Sequence, residues 1–259
     1  MRILGLVGAV ILMCETAAIC QQPDTQSKSE GTDAQAARQL LDLANDARVS
    51  AGLAKLEWDA ALANAAMKHC LRMSTEGQIA HRYPGEDDLT NRVGASGAHF
   101  RVIEENIAVA SRVTLIHQGW LDSTEHRANL LNPRVDRVGI AVVTDQGMHF
   151  AVADYAEGVP ELTQIEVEAA FAKLLRARGL MISNETGEAR AYCAGPDVFF
   201  HDEIPQSMTR WQDPEVSRLP EELVRQLATG RYRKAAVGSC LPRDVNGAFT
   251  TYRVAVLLY

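Results

Sequence analysis

Three residues spread along this chain have side chains that could do chemistry together: His81, Glu105 and His126. Two neutral imidazoles and a carboxylate suit a borderline divalent ion such as zinc, with a position left open for water. The same groups could instead move protons without a metal, which makes them the candidate catalytic residues as well. Glu105 lies in Ile103-Glu104-Glu105-Asn106-Ile107-Ala108, two acids and an amide inside an apolar run. His126 lies in Trp120-Leu121-Asp122-Ser123-Thr124-Glu125-His126, and on a single helix Trp120, Ser123 and His126 would share a face. Ser123, Glu125, Asn106 and Trp120 are therefore candidate supports of one cleft. The competing reading is structural: Glu105 and Asn106 tie a loop to backbone amides, His126 braces helix ends, and Trp120 is core. A Ser123–His126 hydrolase pair has little behind it, since nothing resembles a nucleophile elbow and no separate acid is set to orient the histidine.

Elements that could position these groups follow from periodicity. Ala37, Leu40, Leu41 and Ala44 mark a helix over 34–50, ended by Gly52. Asp59 can cap a second helix that buries Leu62, Ala65, Ala66, His69 and Met73. His69, on that apolar face, reads as a satisfied core histidine. The segment 78–100 is loop-rich, and its acidic run Glu86-Asp87-Asp88 reads as a solvated loop. A helix over 113–121 leads into the His126 segment, which Asn132-Pro133 stops. Two strands, 138–144 and 149–155, are joined by Asp145-Gln146-Gly147 as a hairpin. Helices flanking an antiparallel sheet give an α-β-α sandwich, α+β in class. Gly158-Val159-Pro160 is a plausible boundary, after which Thr163 and Glu166 form a capping box. Helix starts and apolar strands continue to Leu258, so 159–259 is a smaller α+β region with no catalytic motif.

The order His…Glu-Asn-Ile…Trp-x-x-Ser-x-x-His resembles the bacterial branch of the CAP superfamily, the SCP-like extracellular domain. Asn45-Asp46-Ala47-Arg48, Leu56-Glu57-Trp58-Asp59, Arg92-Val93-Gly94-Ala95 and Val138-Gly139-Ile140-Ala141 are similar to further segments of that family. The resemblance implies an α-β-α sandwich over 34–158 with two histidines and two acids in a cleft. His81, Glu105 and His126 match three of the four. Ser123 stands where many members carry an acid, and Glu125, two positions on, would point away from it. The resemblance also implies an extracellular binding module for a small apolar ligand or a partner protein. A metal-assisted, peptidase-like hydrolase is the alternative.

The whole chain sets limits on these readings. It has 259 residues, 47% of them hydrophobic, enough for one large or two small domains. A net charge of −7 and the lack of any lysine–arginine run argue against a nucleic-acid binder. Residues 1–20, with Arg2, an apolar run and Ala17-Ala18, read as a signal peptide, with lipid attachment at Cys20 as the variant reading. Residues 21–33 read as a flexible leader. The mature protein is expected outside the cytoplasm, secreted or periplasmic, without a transmembrane helix. There Cys193 and Cys240, both in the second half, are expected to pair, leaving Cys70 as a buried thiol.

Overall fold

Alternation along two central strands decides the architecture of the first unit. In β4 (Arg137–Asp145), Val138, Ile140 and Val142 pack to one side, and Ala141 and Val143 to the other. In β5 (Met148–Gly158), Ala151, Ala153 and Tyr155 take the first side, and Phe150 and Val152 the second. Both strands are thus buried on both faces, and the sheet needs a helical layer on each. A computed structural model of the chain, describing residues 31–195, 198–201, 203–243 and 249–259, shows these layers. The expected signal peptide, Cys20 and most of the leader lie outside the described residues.

The chain order is β1 (Gly31–Thr32), α1 (Ala34–Ser50), β2 (Glu57–Trp58), α2 (Ala60–Glu76), α3 (Leu89–Ala95), β3 (Phe100–Ala110), α4 (Val113–Asp122), α5 (Thr124–Leu130), β4 and β5. The sheet runs β1-β4-β5-β3, with β2 also pairing with β4. Helices α1, α4 and α5 cover one face through Leu40, Ala44, Ile116, Trp120 and Leu130. Helix α2 covers the other through Leu62, Ala66, Cys70 and Met73. It lies so close that a Cβ added at Gly139 would stand 2.0 Å from the Ala63 nitrogen. The β4–β5 turn puts Gln146 and Gly147 at φ of 47° and 78°, the left-handed pair that a tight hairpin requires.

Two expectations change. The leader was expected to run to residue 33, but Gly31 and Thr32 pair with Thr144 and Val143 of β4. Asp33 then caps α1 by accepting from the Ala36 nitrogen at 2.9 Å. The outer side of β4 offers unpaired backbone groups, and these residues satisfy them. The helix expected to carry Trp120, Ser123 and His126 on one face is two helices. Ser123 ends α4 and caps α5 in extended backbone, at ψ 127°, so the chain changes direction there.

The second unit comprises α6 (Gln164–Arg176), β6 (Met181–Ile182), α7 (Gly187–Ala194), β7 (Ser207–Asp213), α8 (Glu221–Leu227), β8 (Lys234–Cys240) and β9 (Tyr252–Leu258). Its sheet runs β6-β8-β9-β7 over a core of Phe171, Leu175, Leu223, Val237, Val254 and Val256. Thr163 and Glu166 form the expected capping box. Cys193 and Cys240 are disulfide-bonded with Cα atoms 5.7 Å apart, and Cys70 is a buried free thiol. The two units meet where Phe249 stacks edge-on against Phe100 at 5.4 Å and the Thr250 nitrogen donates to the Phe100 oxygen at 2.9 Å.

Candidate functional site

β3 is the far edge of the first sheet, so groups on its two faces can meet around that edge. Register puts Glu105 opposite Asp154, on the face covered by α2, and Asn106 opposite Ala153, on the face covered by α4 and α5. An edge strand leaves alternate carbonyls unpaired, and here side chains take them. Asn129 Nδ2 donates to the Glu105 oxygen at 3.1 Å, and Trp120 Nε1 donates to the Ile107 oxygen at 3.2 Å. Asn106 Nδ2 donates to the His126 oxygen at 2.8 Å, and its Oδ1 accepts from Asn129 at 3.0 Å. These bonds fasten α5, and with it His126, to the strand that carries Glu105. The far end of α5 is held by Arg48, which is buried and donates to the carbonyls of Leu130, Asn132 and Val135 at 2.9, 3.0 and 3.0 Å.

On the other face Glu105 is a buried carboxylate among cations. Oε1 meets His81 Nδ1 at 2.8 Å. Oε2 accepts from Arg92 Nη2, and Arg92 Nη1 donates to the His81 oxygen at 3.0 Å. Arg92 thus clamps both the acid and the backbone of the histidine it orients. The imidazole of His81 is 58% exposed while the Glu105 side chain is 2% exposed, so the acid anchors from within and the histidine faces solvent. The hydrogen bond that His81 donates to Glu105 is the main reason that the His81 pKa lies above its ordinary value, against the opposing effect of burial. His126 moves the other way: burial lowers its pKa first, and the charge of His81 lowers it further. The two imidazoles are therefore within electrostatic reach of each other, with His126 the more readily neutral.

The remaining candidates play other parts. Ser123 Oγ accepts from the His126 backbone nitrogen at 3.4 Å, so its hydroxyl caps α5 and does not engage the imidazole. Glu125 is exposed in the first turn of α5 and acts on His126 as a nearby charge. Trp120 is fully buried core. Glu104 faces away from Glu105 and accepts from Asn132 at 2.9 Å. His69 is the core histidine expected: Nδ1 meets Glu86 Oε1 at 2.7 Å and Nε2 meets the Ala80 oxygen at 2.9 Å. Glu86 also accepts from the Tyr83 nitrogen at 2.9 Å, so this acid staples the loop that carries His81 and is not a solvated residue of the acidic run.

Two residues escaped sequence reasoning. Arg92 gave no local signal of a clamp, because its partners are 11 and 13 positions away. Asp154 did give one, a charge at an inward position of an apolar strand. It is fully buried, and neither carboxyl oxygen has a hydrogen-bond partner among the described residues. Burial, and then the negative charge of Glu105, raise its pKa well above the usual carboxylate range.

Both Glu105 oxygens are thus committed to His81 and Arg92, which suits this acid to orienting an imidazole. Among the described residues no group of three or more His, Cys, Asp or Glu is arranged to hold a metal ion. Glu105 stands behind His81, where a carboxylate orients an imidazole. Two of the larger cavities among the described residues lie away from the imidazoles of His81 and His126. One, of about 630 Å³, is beside α5 next to Glu104 and Arg127. The other, of about 850 Å³, is lined mainly by the second unit.

Residues 41–155 match the CAP family, described as the Cysteine-rich secretory protein family. This stretch is a CAP domain. The chain is 36% identical over 108 residues to YlbC of Bacillus subtilis (strain 168), an uncharacterised membrane protein, covering 40% of this chain and 31% of that one. It is 23% identical over 127 residues to YkwD of the same organism, an uncharacterised protein, covering 49% of each. The chain therefore spans half or less of the length of these curated relatives. An extracellular protein containing a SCP domain, from Bacillus anthracis str. Ames, is similar in structure at 30% identity and a TM-score of 0.43, over 47% of this chain and 40% of that one. Among the described residues no helix is long and apolar enough to cross a membrane.

Proposed function

We propose that this CAP domain is an exported binding module whose His81–His126 cleft takes a divalent ion, with zinc the best match to two imidazoles. The observation that carries the reading is the Glu105 carboxylate, buried, tied to Arg92 and bonded to Nδ1 of His81 at 2.8 Å. A carboxylate held in that way fixes the tautomer of the ring and leaves Nε2 as the ligand atom. His126, with its pKa lowered, supplies the second lone pair. Binding is favoured over turnover because the Ser123 hydroxyl caps α5 through the His126 backbone nitrogen. Export rests on the apolar start of the chain and on a disulfide that an oxidising compartment would keep.

Calorimetry with zinc at neutral pH is the test, on the wild type, His81→Ala, His126→Ala and Glu105→Gln. One ion should bind with modest affinity, because two histidines fall short of the three protein ligands usual at catalytic zinc. Either alanine variant should lose binding, and Glu105→Gln should weaken it by about 10–100-fold. No uptake by the wild type, or undiminished binding by an alanine variant, would leave the cleft a purely structural feature.

A further inference from the structure

We infer that the cavity between α6, α7 and β8 is a second binding site, built for a small carboxylate with an apolar body. Its volume is about 850 Å³, inside the roughly 300–1,000 Å³ range of small-molecule sites. The wall is mostly apolar, with Leu162, Val167 and Ala191 among its residues. Arg190 is set into this wall. Its Nε donates to Glu168 Oε1 at 2.8 Å and its Nη2 donates to Glu168 Oε2 at 2.7 Å. Glu168 is in turn buried, and its Oε1 accepts from the Ser239 nitrogen at 2.9 Å. A backbone group thus fixes the acid, and the acid fixes the guanidinium.

That arrangement leaves one edge of Arg190 available. Among the described residues Nη1 donates to nothing, and the side chain is 40% exposed. A guanidinium held in one orientation recognises a planar carboxylate with two parallel N–H groups. Its rotamer entropy is already lost, so less is lost again on binding. The local charge agrees. Among the described residues Arg190, Arg243 and His99 line the cavity with one acid, Glu161, in a protein of net charge −7. The apolar remainder of the wall calls for a hydrocarbon body, which a free inorganic anion lacks.

Octanoate and the neutral isostere octanol are the probes, used on the full chain by calorimetry. Octanoate should bind at least tenfold more tightly than octanol. Ala191→Trp fills the cavity from an exposed helix position, and should weaken octanoate at least tenfold while the circular dichroism is unchanged. The paired variant Glu168→Gln/Arg190→Gln removes both charges together, so no buried acid is stranded. It should lower octanoate to the affinity of octanol and leave octanol as it was. The inference fails if octanoate does not bind at millimolar concentration, if octanol binds equally well, or if Ala191→Trp binds as the wild type does. Should the paired variant not fold, Ala191→Trp and the octanoate–octanol ratio decide the matter alone.

Discussion

Asp154 faces Glu105 directly across the β3–β5 pair, its pKa raised by burial and by the charge of Glu105, which is itself ringed by Arg92 and His81. The Glu105 oxygen points outward to Asn129, so this is a non-hydrogen-bonded pair, the kind in which opposing side chains come closest. Two ionised carboxylates there would repel, and burial together with that repulsion raises the Asp154 pKa well above the usual carboxylate range.

A stability change follows for Asp154→Asn. The folded-state pKa of Asp154 lies above its unfolded value of 3.8. Its contribution is therefore intact below 3.8 and is lost as pH rises, because the unfolded chain releases a proton that the folded chain keeps. Replacing it with asparagine removes that cost. Urea denaturation should find the variant more stable than the wild type at pH 7.5, by on the order of 1 kcal/mol, with the gain shrinking towards pH 4. A variant equally destabilised at both pH values would show that Asp154 is held by unseen hydrogen bonds.

What the sequence made legible was local or periodic. The helix faces, the strand alternation of Val138, Ile140 and Val142, the hairpin glycine and the Thr163–Glu166 capping box all depend on neighbours within a few positions. The break at Ser123 was missed because its residues suit one helix as well as two, and only the docking of α5 onto β3 through Asn106 and Asn129 chooses. The clamp of Arg92 on Glu105 and the pairing of Glu105 with Asp154 depend on register between distant strands, which no spacing encodes.

Asn129 should matter to the site more than its exposure suggests. Its Nδ2 serves both the Glu105 oxygen and Asn106 Oδ1. Asn129→Ala leaves an edge carbonyl and a buried amide short of a donor, at a cost of about 1–3 kcal/mol. Hydrogen exchange should show faster opening of 124–130 with little change in 60–76. Uniform exchange across both segments would mean that α5 is held by packing alone.

His117 gives a second pH dependence. It is nearly buried, its Nδ1 lacks a partner among the described residues, and burial lowers its pKa, opposed by Asp46. A depressed histidine contributes fully above its unfolded value of 6.5, and that contribution is lost as pH falls through the folded value. Between pH 7.5 and 5 the wild type should therefore lose stability faster than His117→Gln. His126 slopes the same way and His81 the opposite way, so the difference between the two proteins, not the wild-type curve, isolates His117. Parallel curves would rule out a titrating His117.

The cysteines predict a labelling pattern. Burial pushes the Cys70 thiol up to about 12, and it donates to the Phe150 oxygen at 3.0 Å. Peptide mapping with iodoacetamide should leave Cys70 unmodified in the native protein and alkylate it after denaturation. Cys193 and Cys240 should react only after reduction. Their separation of 47 residues implies about 4 kcal/mol lost when the bridge is removed, by the chain-entropy relation. Alkylation of either without reductant would contradict the pairing.

Two glycines let a helix lie directly on a strand, one in each unit, and together they test whether the units unfold separately. A Cβ at Gly139 would stand 2.0 Å from the Ala63 nitrogen, and one at Gly238 would stand 2.2 Å from the Arg190 nitrogen. Both clashes are with backbone, so α2 or α7 must move off its strand, at a cost of about 3 kcal/mol or more. The cores are distinct, with Ile140, Val142 and Tyr155 in one and Val237, Val254 and Val256 in the other. Gly139→Ala should therefore remove amide protection from β4 and β5 while β8 and β9 keep theirs, and Gly238→Ala should do the reverse. Loss of protection in both sheets from either substitution would show that the contact of Phe100 with Phe249 couples the two units into one cooperative structure.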